Sequence, residues 1–307
     1  MNTLCSKRQR GAALLIALVA VALASVLALG LIERGQGSLA RTQALVASER
    51  SYQLALGMEL LAADLIEQSL AHGGLPLPDG RWTPPYEVPG GRIQGRLEDQ
   101  GGRFNLNALA HPDPLKASLA FEAFERLLDH LGLNRLIAAE MADWIELPAM
   151  PRPGSAAEAW YLGRQPPYRI AGTRLAHVSE LRWLRSVDEA AFVLLSPHVA
   201  ALPEPELRVN VNTATAAVLA SLDVELSLEE ARRLLGDGPY RDVRAFMAHP
   251  IIVARPRPEL QQKLQIQSQW YLAQARVSLD GVERDYFRLI RHGASGYDFR
   301  LFSQGVY

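Results

Sequence analysis

The sequence predicts an α+β protein with one very long N-terminal helix, a small antiparallel sheet, and a large all-α segment inserted between the strands of that sheet. Three observations carry this prediction. Residues 12–32 are 21 consecutive positions without a charge, residues 115–248 repeat apolar side chains at helical spacing, and strand-like runs at 92–97 and 264–291 lie on either side of them. At 307 residues and 49% hydrophobic content, the chain holds enough apolar material for one large core or two modest ones. The formal net charge of −1 lacks the basic excess expected of a protein whose main task is binding nucleic acid. Cys5 is the single cysteine, so neither an intrachain disulfide nor a multi-thiolate metal site is available.

The apolar run comes first. At about 1.5 Å per residue its helix is roughly 31 Å long, the thickness of a bilayer's hydrocarbon core. Lys7, Arg8 and Arg10 precede it, whereas Glu33 and Arg34 after it cancel, so the short N-terminus is expected in the cytoplasm and the remainder across the membrane. A cleaved secretory signal is the competing reading, with small residues at 22–24 and 28–30. Its apolar core is typically about 7–15 residues, shorter than this run. Beyond Glu33 no proline interrupts the chain as far as Leu70, and Leu54, Met58, Leu61, Leu65 and Ile66 recur at three- and four-residue intervals. The helix is therefore expected to continue, to roughly 88 Å in all. Gly35 and Gly37 are where it would break.

His72-Gly73-Gly74 and the prolines at 76, 78, 84 and 85 end that helix in a loop. Residues 92–97 alternate weakly as a strand that closes at Gln100-Gly101-Gly102. In the helical region, Leu119, Phe124, Leu127, Leu128 and Leu131 make one amphipathic face, and Leu133, Ile137, Met141, Trp144 and Ile145 another. Thr213 is expected to cap the helix that follows Asn210-Val211-Asn212. Asp280-Gly281 between two strand-like runs marks a hairpin. The insertion is thus expected to interrupt the sheet in sequence and not in space.

Two kinds of motif carry a family resemblance. Basic Arg8-Gln9-Arg10 ending in Gly11 before Ala12 resembles the prepilin peptidase site of type IV pilins and pseudopilins. Further on, Gly102-Arg103-Phe104-Asn105-Leu106-Asn107-Ala108-Leu109, Asp143-Trp144-Ile145-Glu146, Glu158 to Tyr161, Val178-Ser179-Glu180-Leu181-Arg182 and Asn210-Val211-Asn212-Thr213-Ala214 occur in the order seen in the minor pseudopilin K family of type II secretion systems. The resemblance implies a leader at 1–11, a transmembrane helix at 12–32, its continuation at 33–72 and first pilin-like strands at 73–110. It further implies an inserted helical domain with a helix-hairpin-helix-like unit at 111–250, and closing strands at 251–307. It implies cleavage between Gly11 and Ala12, methylation of the new terminus, and filament contact through Leu14, Leu15 and Ile16. Ile16 stands where most of the superfamily carries glutamate, and that absence is itself a mark of the K member.

The same resemblance implies a non-enzymatic role at the tip of a periplasmic pseudopilus, anchored in the bacterial inner membrane. The partners it implies are minor pseudopilins I, J and H, prepilin peptidase and the inner-membrane assembly platform. It also implies calcium at Asp143, Glu146 and Glu158, although the family's carboxylates are depleted: Pro148 fills an acidic position and Ala157 precedes Glu158. A membrane-anchored helix-hairpin-helix DNA receptor is the alternative. Against it, residues 223–226 place two acids where a DNA-binding hairpin presents glycines to phosphates. The seven histidines lack metal spacing, and no nucleophile elbow or phosphate loop occurs.

Overall fold

A computed structural model describes residues 5–71, 80–146, 150–293 and 296–305. The chain divides into two compact units, Met1–Leu54 and Ala55–Tyr307. Helix α1, Cys5–Ala71, is continuous through Gly35 and Gly37, around which a side chain would meet nothing. The loop expected at 72–79 lies outside the described residues.

In the first unit α1 presents apolar side chains on every side: Leu14, Leu15, Leu18, Val21, Val26 and Leu29 are all exposed. Its most apolar 18-residue window has a mean hydropathy of 2.9, and none of it is buried inside the chain. A helix hydrophobic all round belongs in lipid or among other helices. Its polar hydroxyl is satisfied within the helix, since Ser25 Oγ donates to the carbonyl of Val21 at 2.8 Å.

In the second unit, the last turns of α1 become one-sided. Ala55, Ala62 and Ile66 are buried, while Leu60 and Leu61 remain exposed. The buried stripe packs on a five-stranded antiparallel sheet in the order β1 (Tyr86–Val88), β2 (Gly91–Asp99), β7 (Trp270–Leu279), β8 (Val282–Gly293), β9 (Gly296–Gln304). Leu97, Tyr271, Ala273 and Ile290 supply the sheet's side of this core. Glu59 accepts from Arg288 Nε at 2.7 Å, and Tyr297 donates to the carbonyl of Ala63 at 2.8 Å. The β7–β8 turn has Asp280 at φ +50° and Gly281 at φ +78°, the two left-handed residues that a tight hairpin requires. β9 lies within the closing strands expected at 251–307, past the strand-like runs that end at 291.

Between β2 and β7 lies the helical body. Short strands β3 (Phe104–Asn105) and β4 (Val199–Ala200) pair in parallel, as do β5 (Val209–Asn210) and β6 (Leu264–Gln265). The helices are α2 (Pro114–His130), α3 (Leu136–Glu146), α4 (Glu158–Leu162), α5 (Glu189–Leu195), α6 (Ala216–Ser221), α7 (Leu228–Gly236), α8 (Val243–Met247), α9 (Pro250–Val253) and α10 (Pro258–Gln262). Helix α2 shows the expected one-sided burial through Phe124, Leu127 and Leu128. Helix α3 does not, because every residue from Ile137 to Ile145 is buried; it is a central helix and not an amphipathic one. Ile252, Leu260 and Leu264 join the same core, so helical packing runs beyond residue 250.

The contrast between Ile66, fully buried, and Leu60, 72% exposed, generates a test. Ile66→Ala is expected to cost about 2–4 kcal/mol in urea unfolding of the detergent-solubilised protein, and Leu60→Ala less than about 0.5 kcal/mol.

Candidate functional site

The N-terminal half of α1 is the first candidate. Gly11 and Ala12 lie within it, and Leu14, Leu15 and Ile16 are 65%, 65% and 68% exposed. The first carboxylate after the basic leader is Glu33. This surface can associate with lipid or apolar helices and offers no acid to a neighbouring cation.

The second candidate is the junction where the chain leaves the sheet and returns to it. The backbone N–H of Gln100 donates to the carbonyl of Trp270 at 2.9 Å, so exit and return are adjacent. Asp99 ends β2 there. Its carboxylate accepts from Gly101 N (2.7 Å), Asn210 Nδ2 (2.7 Å) and Thr213 Oγ1 (2.8 Å). Burial pushes the Asp99 carboxyl above its usual range, and hydrogen bonds from Ser268, Thr213, Gly101 and Asn210 offset this only in part. Thr213 is therefore not the expected helix cap. Its hydroxyl is committed to Asp99, and Thr215 two residues on caps α6 by accepting from Val218 N.

Apart from Asn210, which donates to Asp99, the asparagines of the Gly102–Leu109 and Asn210–Ala214 motifs meet distant backbone. Asn105 Oδ1 accepts from Leu202 N at 3.0 Å, and its Nδ2 donates to the Glu204 carbonyl. Asn107 donates to the carbonyls of Leu175 and Leu202 and accepts from Leu175 N. Asn212 bonds both backbone groups of Tyr240, at 2.8 and 2.7 Å. A carboxamide has a peptide's donors and acceptor, so each asparagine joins a segment that no regular ladder reaches. These motifs build a scaffold and not a ligand pocket.

The carboxylates that resemblance associates with calcium are arranged differently from a cation cage. Asp143 accepts from the Arg152 backbone N–H at 2.9 Å and from its guanidinium, whose Nη2 also approaches Glu146 at 3.5 Å. Glu158 stands in the first turn of α4. Among the described residues, no three histidine, cysteine, aspartate or glutamate side chains gather as a metal would need. Calcium takes six to eight oxygens, and here a cation from the chain already occupies those of Asp143, so this donor set does not fit the ion. Asp99 did not stand out in the sequence because its side-chain partners Asn210 and Thr213 lie more than a hundred residues away; Arg152 sits close to Asp143 and Glu146 in the chain, but no periodicity marks the turn that brings it back to them.

A long apolar N-terminal helix leading into an antiparallel sheet, with a helical body inserted between adjacent strands, defines a pilin-like subunit. Residues 102–204 and 209–267 each match a family model described as type II secretion system (T2SS), protein K. The chain is similar to type II secretion system protein K of Klebsiella pneumoniae, 33% identical over 288 residues and 87% of both chains. It is also similar to that of Pseudomonas aeruginosa, 34% identical over 229 residues, 70% of this chain and 68% of the relative. A chain in the crystal structure of the GspK-GspI-GspJ complex from enterotoxigenic Escherichia coli shares the fold, with a TM-score of 0.72 at 24% identity over 87% of this chain and all of that one. This protein belongs to the type II secretion system protein K family.

Two measurements test the junction. A Cβ on Gly102 would lie 2.5 Å from the backbone of Thr213, so Gly102→Ala is expected to cost about 1–3 kcal/mol in urea unfolding. His198, bonded to Thr215 Oγ1 at 2.8 Å, is held below the ordinary 6.5 by burial and then by Arg103. His177, which caps the turn at Val178–Trp183, is held below it by burial against an opposing Glu180. A depressed histidine binds protons less readily when folded, so its stabilisation is present above pH 6.5 and is lost as pH falls through the folded value. A thermal-denaturation series below pH 6.5 should show falling stability, with a shallower slope in His198→Gln. Asp99, shifted upward, gives a slope of opposite sign that both proteins share.

Proposed function

We propose that this protein is a non-enzymatic minor pseudopilin at the tip of a type II pseudopilus, in a machine that exports folded proteins across the outer membrane. The observation that carries the reading is Ile16, an exposed apolar residue in the charge-free stretch of α1, at the position where filament-forming members of the superfamily carry a carboxylate. A buried N-terminal amine without a counter-charge costs several kcal/mol in a low-dielectric bundle. A subunit with isoleucine there cannot neutralise the amine of one stacked beyond it, yet its own amine can pair with the glutamate of the adjoining subunit. The helical body between β2 and β7 adds bulk that obstructs a subunit above.

The expected partners are minor pseudopilins I and J, in line with the complex in which the structurally similar chain occurs. Pseudopilin H, prepilin peptidase and the assembly platform complete the set. The protein would sit in the inner membrane with residues 1–11 cytoplasmic and the body periplasmic, in accord with the basic residues before the apolar run. A DNA-receptor role has less support, since Asp223 and Glu225 occupy the turn between α6 and α7.

Mass spectrometry of the mature N-terminus tests processing. The expected terminus is N-methylated Ala12, with Gly11→Val leaving uncleaved precursor in the membrane; a start near Gly30 or Leu31 would replace this reading with a secretory signal. In the same cells, tagged wild-type protein should co-purify pseudopilins I and J.

A further inference from the structure

Both buried acids of α3 are held by arginines that also shape the turn after it. Asp143 is 2% exposed and takes two donors from Arg152, the backbone N–H and the guanidinium, while the second guanidinium nitrogen reaches toward Glu146. One helical turn earlier Glu140, 1% exposed, pairs with Arg185 at 3.0 Å and accepts from Ser186 N and Oγ at 2.8 and 3.0 Å. Arg185 also donates to the carbonyl of Gly154 at 2.5 Å. The turn is closed by Ser155 N–H donating to the Arg152 carbonyl, with Gly154 at φ +81°.

We infer that Arg152 is the built-in cation of Asp143 and Glu146, so that an internal guanidinium and not a divalent ion orders the segment from Arg152 to Ser155. The chemistry favours this assignment. A guanidinium is charged at every physiological pH, and its fork delivers several donors in a fixed plane. It is tethered by its own backbone hydrogen bond to the carboxylate it neutralises. A calcium ion would have to displace it, meet a positive charge already in place, and assemble most of its six to eight oxygens from elsewhere. The family resemblance implies a metal here; these residues have exchanged it for a side chain.

Heating the full-length protein in detergent, followed by tryptophan fluorescence, tests the inference. The wild-type transition should fall at the same temperature in EDTA and in calcium chloride, and calorimetric titration with calcium should give no saturable heat. In EDTA, Arg152→Gln should melt roughly 5–15 °C lower, because it leaves a buried carboxylate without its partner. Asp143→Asn combined with Arg152→Gln removes the charge as well and should recover part of that loss. A wild-type transition raised by calcium, saturable calcium binding, a single variant as stable as wild type, or a double variant no more stable than the single would each overturn it. If Arg152→Gln does not fold, folding of the double variant supports the inference and its failure to fold overturns it.

Discussion

Asp99 stands where the chain leaves a sheet for residues 101–269 and must come back beside itself. Its backbone pairs with Tyr271, its successor Gln100 bonds to Trp270, and its carboxylate gathers donors from Gly101 and from Asn210 and Thr213 of the Asn210–Ala214 motif. Insertions are tolerated where exit and return lie close together, because the host then loses no contacts. The junction meets that condition with a buried acid served by neutral donors. Such a carboxylate is expensive to desolvate, and it holds only while every donor stays in place. The glycines beside it follow from the same crowding: a Cβ at Gly101 would lie 2.1 Å from Ser268 Oγ, and one at Gly102 would run into Thr213.

This arrangement separates two tasks. The sheet and the one-sided end of α1 form a small host core around Ile66, Leu97 and Ile290. The helical body has its own larger core, from Phe104 to Leu264, and its irregular segments are joined by asparagine side chains. The apolar window of α1, meanwhile, is not buried among the described residues.

Much of this was legible in the chain itself. The charge-free run, the Asp280-Gly281 hairpin and the strand at 92–97 are local signals, and each corresponds to an element in the structure. The motif residues were legible as a family mark, but their work was not: Asn105 and Asn107 serve backbone groups some seventy to a hundred residues away. Thr213 met the local criteria for a cap, yet the long-range bond to Asp99 prevailed. Helix α3 read as one-sided because Glu140 and Asp143 look solvent-facing; paired with arginines, they are buried. Strand β9 resumes the alternation at Tyr297, Asp298, Phe299 and Arg300 after the glycines at 293 and 296 interrupt it, so its start is less legible than that of β2.

The proposed position follows from Ile16 and the inserted head: such a chain would cap a filament and not extend it. Gold labelling of assembled pseudopili carrying a tag on this chain tests that most directly. A label at one end of each filament is expected. Labels repeated along the filament, or filaments built from this protein alone, would contradict it.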